Sequence, residues 1–424
     1  MIKSSDVFKT ARGLPLNYIA RPHADERLLE VLYQDCHIVI HGSSKQGKTS
    51  LRKQNLQESD YIDIMCSNNW SLREIHEQIL KKAGYEISVG KTLTVKGTAK
   101  VNLKANIPLI ISSGIDATGE VGKQINRKNL ELDLDDVNDV INALKELNFN
   151  KYIVVEDFHY LPENTQVDFS IALKAFHELS SICFIIVGVW LEDDRLIVHN
   201  GDLSGRVKSI NADLWTDEDF DKLLTKSEEY LNIIFHENFR IAIKESCNGS
   251  VFLVQQLCLQ LCTKNDIMVT SPIKVTIGKD FNVTEEIKNI LSDQNARYIK
   301  FMTEFSVGFS QTGFDLYKWI LYVLIYAEKT NLEQGLPAAA MRRMIETEHP
   351  KRKDLTQAKL IRALSKAVDL QLKINIRPII FEYDSSKQNI KIVDRSFLLW
   401  REYQEKSDLI DYADLSDDLN KEAP

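Results

Sequence analysis

The stretch "HGSSKQGKTSL", residues 41–51, follows the apolar run 38–40. It matches the pattern G-x-x-x-x-G-K-[ST] from Gly42 to Thr49. In this pattern a strand leads into a glycine-rich loop whose backbone N–H groups surround a phosphate chain, and the helix that follows points its N-terminus at the anion. The stretch therefore predicts a phosphate-binding loop at the start of an α/β domain.

The chemistry of a phosphate site gives several loop residues a role. Gly42 and Gly47 let the backbone fold around the phosphates without a Cβ in the way. Lys48 supplies a positive charge at the β and γ phosphates, and Thr49 supplies a hydroxyl for Mg²⁺. The predicted nucleotide-binding residues of the loop are Gly42, Ser43, Ser44, Lys45, Gln46, Gly47, Lys48, Thr49 and Ser50.

A second strand carries acidic residues at its end. The segment "YIVVED", residues 152–157, places Glu156 and Asp157 after four apolar residues. A Mg²⁺ ion takes oxygen ligands, and a water molecule must be positioned for in-line attack on the γ-phosphate. The alternative is a strand end with two solvated acids, but the pairing with the loop favours a nucleoside triphosphate site.

The order of the elements predicts an α/β fold with a parallel sheet, because strands alternate with helices on both sides of the loop. One segment breaks this rhythm at about residues 86–125, where apolar and polar residues alternate with period two. Such alternation is typical of strands. We therefore expect a β-hairpin or small meander inserted into the α/β domain.

The remaining pattern predicts five regions. Helical periodicity dominates after the core, and a hairpin signal at Tyr383 follows three helical stretches, which is the plan of a winged helix. The last residues are acidic and are expected to fray. The predicted regions are an N-terminal linker (1–34), a P-loop core (35–212), a helical lid (213–306), a winged helix (307–405) and an acidic tail (406–424).

Composition limits the classes of protein. The chain has 424 residues, of which 44% are hydrophobic, so it can bury more than one core. Its longest apolar runs are about half of the roughly 20 residues that a membrane-spanning helix requires. No secretory signal is visible at the start. The six cysteines lack the spacing of a disulfide scaffold or a metal site. We expect a cytoplasmic protein with no membrane partner.

Charge is distributed unevenly. The net charge of -8 argues against a surface coated with nucleic-acid contacts. The segment 341–377 nevertheless carries ten Lys or Arg against four Asp or Glu. Helical spacing puts Lys359, Arg362 and Lys366 on one face. A solvated helix face explains this spacing better than contact with DNA, and both interpretations remain open.

These motifs together resemble those of the AAA+ and STAND ATPases. In this P-loop class, the sheet carries an extra strand between the phosphate-loop strand and the acidic strand. The resemblance covers about residues 15–265, and relatives of this type often continue into a winged helix. It implies ATP and Mg²⁺ as cofactors, with Thr49 and Glu156 at the metal and Asp157 polarising the attacking water.

The resemblance also suggests residues outside the two motifs. The segment "NYIARPHADERLLEVL" (17–32) is similar to the N-terminal linker of the family, which implies that Tyr18, Ile19 and Arg21 lie near the adenine. The segment "NGDLSGRVKSI" (200–210) resembles the one that bears an arginine sensing the γ-phosphate. This residue is Arg206, which is expected to act in the same subunit or in a neighbour.

One departure affects the expected rate. The family usually has Asp first and Glu second in the acidic pair, whereas here Glu156 precedes Asp157. The shorter side chain is then the one expected to act on water, so turnover is expected to be slow.

Two classes of function follow from the resemblance. The first is an ATP-controlled switch that changes conformation or forms a homo-oligomer and acts through a separate effector protein, in bacterial signalling or phage defence. The second is a DNA-binding AAA+ ATPase of the origin-binding or transposition type, which uses the winged helix. The acidic chain favours the switch.

Overall fold

The computed structural model describes six stretches of the chain. They are residues 1–11, 13–93, 99–108, 125–189, 195–309 and 314–419. Across these stretches, no helix combines the length and apolarity needed to span a bilayer. The insert predicted at about 86–125 lies partly outside them, because 94–98 and 109–124 are not described.

The first elements surround the phosphate loop and lead into the insert. Every residue of the first strand is buried, as is typical of an inner strand of a parallel sheet. The helix after the second strand begins at a capping box of Ser71 and Glu74 and ends at Gly84, whose φ is 116°. The elements are α1 (Ser4–Val7), α2 (Arg27–Leu32), β1 (His37–His41), α3 (Lys48–Asn55), β2 (Tyr61–Met65), α4 (Leu72–Ala83), β3 (Tyr85–Leu93), β4 (Ala99–Pro108) and β5 (Ile125–Asp133).

The α/β alternation resumes after the insert. The next elements are α5 (Val137–Glu146), β6 (Tyr152–Glu156), α6 (Glu163–Leu179), β7 (Phe184–Val187), α7 (Arg195–His199) and β8 (Val207–Asn211). Five strands form one parallel sheet in the order β2-β6-β7-β1-β8. Strand β7 lies between β1 and β6, so the extra strand implied by the resemblance is present. The parallel arrangement brings the phosphate loop and the acidic pair to the same edge of the sheet.

Alternate residues of the central strands enter two different cores. On β1, Val39 packs into one core, while Ile38 and Ile40 pack into the other. On β6, Val155 packs into the core that contains Val39, and Val154 packs into the core that contains Ile38 and Ile40. Both faces of the sheet are therefore covered, which fixes the strand ends that carry the site.

The insert is a separate antiparallel sheet in the order β3-β4-β5. In the described residues it is a three-stranded meander, as expected, and it continues to Asp133 beyond the predicted end. Tyr85 and Leu132 at its base are buried in the core of the α/β domain. The meander is thus anchored at the side of the domain between α4 and α5.

The lid consists mainly of helices. Its elements are α8 (Asp217–Leu231), β9 (Ile233–Phe235), α9 (Glu237–Ser246), α10 (Val251–Lys264), β10 (Val275–Ile277), α11 (Val283–Ser292) and α12 (Asn295–Val307). Helix α8 begins at a capping box of Thr216 and Asp219. The N-terminal segment packs here, since Val7 and Phe8 share a core with lid residues and the Ser4 N–H donates to the Met268 carbonyl at 3.0 Å.

The C-terminal unit combines helices with a small antiparallel sheet. Its elements are α13 (Leu316–Tyr326), α14 (Lys329–Gln334), β11 (Leu336–Pro337), α15 (Ala338–Glu348), α16 (Gln357–Leu364), α17 (Ala367–Lys373), β12 (Phe381–Asp384), β13 (Asn389–Ile392), α18 (Arg395–Glu402), α19 (Lys406–Tyr412) and α20 (Ser416–Leu419). The sheet has the order β11-β13-β12. The helices and the hairpin lie where the sequence predicted them, and their assignment as a winged helix remains a prediction.

The acidic tail corrects one expectation. Fraying was expected after about residue 405, but α19 and α20 form there. Leu409, Ala413 and Leu415 are buried in the same core as the C-terminal unit. These apolar positions hold the tail in place despite its charge. Residues 420–424 lie outside the described part of the chain.

Candidate nucleotide site

A cavity of about 450 Å³ lies at the carboxyl edge of the central sheet. It is lined by the N-terminal segment, the loop between β1 and α3 with the start of α3, the ends of β6 and β7, Trp215 with Leu223 of α8, and the first turns of α10. The predicted residues Tyr18, Lys45, Gln46, Gly47, Lys48, Thr49, Ser50, Glu156 and Asp157 are all among its lining residues. The structure therefore brings the two sequence motifs together in one cavity.

The loop conformation depends on its two glycines and on Asp213. Gly42 has φ 138°, and a Cβ there would lie 2.7 Å from Asp213 Oδ1. The Asp213 carboxylate accepts hydrogen bonds from the Ser43 N–H at 2.6 Å and the Ser43 hydroxyl at 2.7 Å. Gly47 has φ 83° just before α3. Asp213 follows β8 and belongs to no motif, so the sequence did not single it out.

Lys48 lies inside the loop. Its Nζ donates to the carbonyl oxygens of Gly42 at 2.9 Å and Ser43 at 2.5 Å. Burial lowers the pKa of Lys48 to about 8, while the carboxylates of Asp213, Glu156 and Asp157 act in the opposite direction. Phosphate oxygens would offer this ammonium stronger acceptors than two carbonyls.

The two acids have different surroundings. Glu156 Oε1 accepts from Arg52 Nη2 at 2.9 Å and Nε at 3.1 Å. Burial raises the pKa of Glu156, and Arg52 opposes this shift. Asp157 follows β6 with φ 58°, and burial raises its pKa against the effect of Lys48 and Arg377. Glu156 is therefore held in an ion pair with Arg52. Asp157 lines the same cavity and forms no ion pair among those of the described residues.

The oxygen atoms around the cavity fit a magnesium ion. Thr49, Glu156 and Asp157 line the same space, and Mg²⁺ prefers oxygen donors. No group of three or more His, Cys, Asp or Glu in the described residues forms a metal cluster. A Mg²⁺ ion usually takes one or two protein oxygens together with substrate phosphates and water.

Aromatic side chains line part of the cavity. Trp215 lies beside the phosphate loop, where its Nε1 donates to the Gln46 carbonyl at 3.4 Å, and its indole stacks on Phe220 with ring centroids 5.7 Å apart. The Tyr18 hydroxyl donates to Asp25 Oδ1 at 2.5 Å, which fixes the tyrosine ring. Trp215 was not predicted, because a single tryptophan after a strand carries no motif.

Two predicted adenine neighbours lie behind the cavity rather than in it. Arg21 is fully buried, donates from Nη1 to the carbonyls of Ala212 and Leu214, and lies 4.2 Å from the Trp215 ring. Ile19 packs in the core shared with the lid. Neither is among the described residues that line the cavity. Direct contact of either residue with an adenine in this cavity is therefore not supported by the described lining.

Arg206 lies at the edge of the sheet opposite the phosphate loop. It precedes β8, and its carbonyl accepts from the His37 N–H at the start of β1, whereas the phosphate loop follows the end of β1. Its guanidinium pairs with Glu178 at 2.9 Å. The prediction that Arg206 contacts a γ-phosphate in its own subunit is therefore wrong, because a whole strand length separates the two. A contact with a neighbouring subunit stays a prediction.

The C-terminal unit contacts the phosphate loop directly. The Ser44 N–H donates to the Val393 carbonyl at 2.9 Å. Arg395 Nε lies 3.3 Å from the Ser43 hydroxyl, and its Nη2 lies 3.4 Å from Asp213 Oδ2. Sequence analysis did not predict these contacts, since Arg395 is 352 residues from Ser43 and 182 from Asp213.

Comparisons with known proteins rest on structure. No family model and no curated protein matches the sequence. The Walker-type ATPase of Pyrococcus abyssi is similar with a TM-score of 0.50 and 12% identity, over 93% of this chain and 99% of that one. Cdc6p of Pyrobaculum aerophilum has a TM-score of 0.37 and 15% identity, over 96% and 98% of the two chains.

A third structure is the Orc1 protein of Aeropyrum pernix in complex with DNA, with a TM-score of 0.41 and 9% identity, over 96% of each chain. The first similarity covers nearly the full length of both chains. This chain has the phosphate loop and the five-stranded parallel sheet described above. The protein therefore has the fold of a Walker-type P-loop ATPase.

Proposed function

We propose that the protein binds Mg²⁺-ATP and hydrolyses it slowly. The observation that supports this most is the single cavity that contains Lys48, Thr49, Glu156 and Asp157. Lys48 and the N–H groups of residues 45–50, which line the cavity, would hold the phosphates. Thr49 with Glu156 would hold Mg²⁺, which would neutralise charge on the β and γ phosphates. ATP rather than GTP rests on the family resemblance alone.

Asp157 would orient the attacking water. Its side chain lies in the same cavity as Lys48, and its carboxylate makes no ion pair among those of the described residues. An aspartate reaches less far than the glutamate that usually takes this role, which supports slow turnover. Slow turnover suits a switch, because each nucleotide state then persists long enough to be read by a partner.

The proposed switch element is the C-terminal unit. Val393 and Arg395 contact Ser44, Ser43 and Asp213. A nucleotide that moves this loop would therefore change the contacts that hold the unit in place. The carboxylate of Asp213 is 7% exposed and negative next to a phosphate site, so the Arg395 charge also favours anion binding while the unit is closed.

Replacing Arg395 by Met should loosen this contact. Losing one charged hydrogen bond, worth about 1.5 kcal/mol, should speed amide exchange in residues 389–402 roughly tenfold. Hydrogen exchange with and without a slowly hydrolysed ATP analogue measures this. In the wild type, the analogue should change exchange in this segment, whereas the variant should be fast in both conditions.

A matched control is Arg343→Met, since Arg343 is exposed on α15 of the same unit. This control should behave like the wild type. Wild-type exchange that is insensitive to the analogue would contradict the switch. Unchanged exchange in Arg395→Met would mean that the loop contact does not hold the unit closed.

The proposed partners rest on the resemblance. We propose a homo-oligomer that forms on ATP binding and a separate effector protein that reads it. A role in bacterial signalling or phage defence has no support beyond that resemblance. Mass measurement with and without the ATP analogue tests the assembly step, and a mass that does not change would contradict it.

The second candidate is a DNA-binding ATPase. The helices α15 to α17 and the hairpin β12–β13 have the order of a winged helix, and Arg362 and Lys366 are exposed. Lys359 instead donates to the Asp354 carbonyl and lies 3.9 Å from the Phe314 ring. Lys359 and Arg362 lie on α16, whereas Lys366 lies between α16 and α17, so the single helix face expected for the three residues is interrupted. Helix α17 lines a cleft with Tyr160 and Glu163 of the core.

Salt dependence separates the two candidates. If Lys359, Arg362 and Lys366 bind phosphates, replacing all three by Gln should flatten the log-log salt slope of duplex affinity by roughly two to three units. ATP binding should stay intact, because the patch lies in another unit. We expect weak or no duplex binding near physiological salt. Sub-micromolar, salt-sensitive binding that the triple variant loses would favour the DNA-binding ATPase.

A further inference from the structure

Arg52 forms a buried ion pair inside the nucleotide site. It lies on α3, one turn after Lys48, and its side chain is only 2% exposed. Two of its nitrogens contact one oxygen of Glu156, Oε1, at 2.9 and 3.1 Å. The guanidinium also lies 4.5 Å from the centre of the Tyr61 ring. Arg52 is therefore fixed from two sides.

Stability does not explain this arrangement well. The free energy lost when two charges leave water often exceeds the free energy gained from their attraction. An apolar pair of similar volume is frequently as stable. Arg52 Nη1 is buried and has no hydrogen-bond partner in the described part of the chain, which adds a further cost. An arginine at this position therefore needs a reason other than packing.

We propose that Arg52 is a positioning residue for the first acid of the pair. By binding Oε1, it fixes the Glu156 carboxylate so that the remaining oxygen, Oε2, serves the magnesium shell next to Thr49. This inference rests on the proposed function. It also explains the order of the acids, because the extra methylene of a glutamate lets one carboxylate reach both α3 and the metal.

The groups around Glu156 support this division of roles. Lys48 and Asp157 are its other charged neighbours in the cavity, and the backbone of Cys66 on the adjacent strand end donates to its carbonyl. Lys48 is already bound to the loop carbonyls. Arg52 is thus the cation that makes direct contact with the Glu156 carboxylate in the described residues.

The test is the gain in nucleotide affinity that Mg²⁺ produces. Calorimetry with a slowly hydrolysed ATP analogue gives one Kd in Mg²⁺ and one in EDTA. In Arg52→Met, the Kd in EDTA should stay within about threefold of wild type, while the gain from Mg²⁺ should fall about tenfold, as for partners of metal ligands. Arg52→Lys keeps the charge but loses the fork, so it should keep part of the gain.

Two further variants make the test specific. Arg240→Met is the matched control, because Arg240 pairs with Glu228 in the lid at 2.9 Å and neither residue lines the cavity. It should leave both Kd values unchanged. In a Glu156→Gln background, Arg52→Met should have no further effect on the gain from Mg²⁺.

Several outcomes would overturn the inference. A full Mg²⁺ gain in Arg52→Met with a lowered melting temperature would make Arg52 structural only. An equal loss in the Glu156→Gln background would show that Arg52 does not act through Glu156. If Arg52→Met does not fold, a full Mg²⁺ gain in Arg52→Lys decides against the inference. Absence of analogue binding by the wild type would instead refute the proposed function.

Discussion

Replacing Lys48 by Ala is expected to weaken binding of the ATP analogue by at least about 100-fold. The change removes the ammonium that would contact two phosphates, and each charged hydrogen bond contributes about 1.5–3 kcal/mol. The fold should survive. Burial of the Lys48 ammonium costs free energy, as its pKa of about 8 indicates, so its removal should not strongly destabilise the domain. Calorimetry measures the affinity, and thermal unfolding checks the fold.

Lys53→Ala is the matched control for this prediction. Lys53 also lies on α3 and lines the same cavity, but it is exposed. Its loss should change affinity by less than about threefold, as for a screened surface charge. Equal affinities of the Lys48 variant and the wild type would remove the phosphate-site assignment.

Asp157→Asn is expected to slow hydrolysis about 100-fold or more while ATP affinity stays within about threefold. A positioned acid or base contributes at this level to proton transfer, and an amide cannot accept the proton of water. The substitution should not strain the backbone, because Asn tolerates the left-handed conformation found there, with φ 58°. Steady-state phosphate release measures the rate.

Asp266→Asn is the control for an Asp-to-Asn change in a left-handed backbone conformation. Asp266 has φ 57° in the lid and lies outside the cavity lining. Its hydrolysis rate should equal that of the wild type. Hydrolysis at the wild-type rate in Asp157→Asn would assign the water-orienting role to another residue, with Glu156 the next candidate.

Local sequence patterns predicted the parts of the site that lie within single segments. The loop 42–49 and the acidic pair each follow a buried strand, and a parallel sheet necessarily brings such strand ends to one edge. The position of β7 between β1 and β6 followed from the resemblance. Alternation with period two also indicated the meander, because a half-buried strand needs that pattern.

The residues that sequence analysis missed act across long separations. Asp213 and Arg395 reach the loop through tertiary packing, and neither belongs to a periodic or motif pattern. Arg52 lies within the motif helix, but only the structure shows that its side chain turns to Glu156. Arg206 was placed at the γ-phosphate because its sequence segment resembles one in the family. The register of β8 against β1 instead puts it at the edge of the sheet away from the phosphate loop.

The nucleotide site is tested most directly by titrating wild-type protein with the ATP analogue in Mg²⁺ and then in EDTA. We predict one nucleotide bound per chain and tighter binding in Mg²⁺, since the loop, Thr49 and the acids share one cavity. Absence of binding in both titrations, with the protein folded, would contradict this prediction.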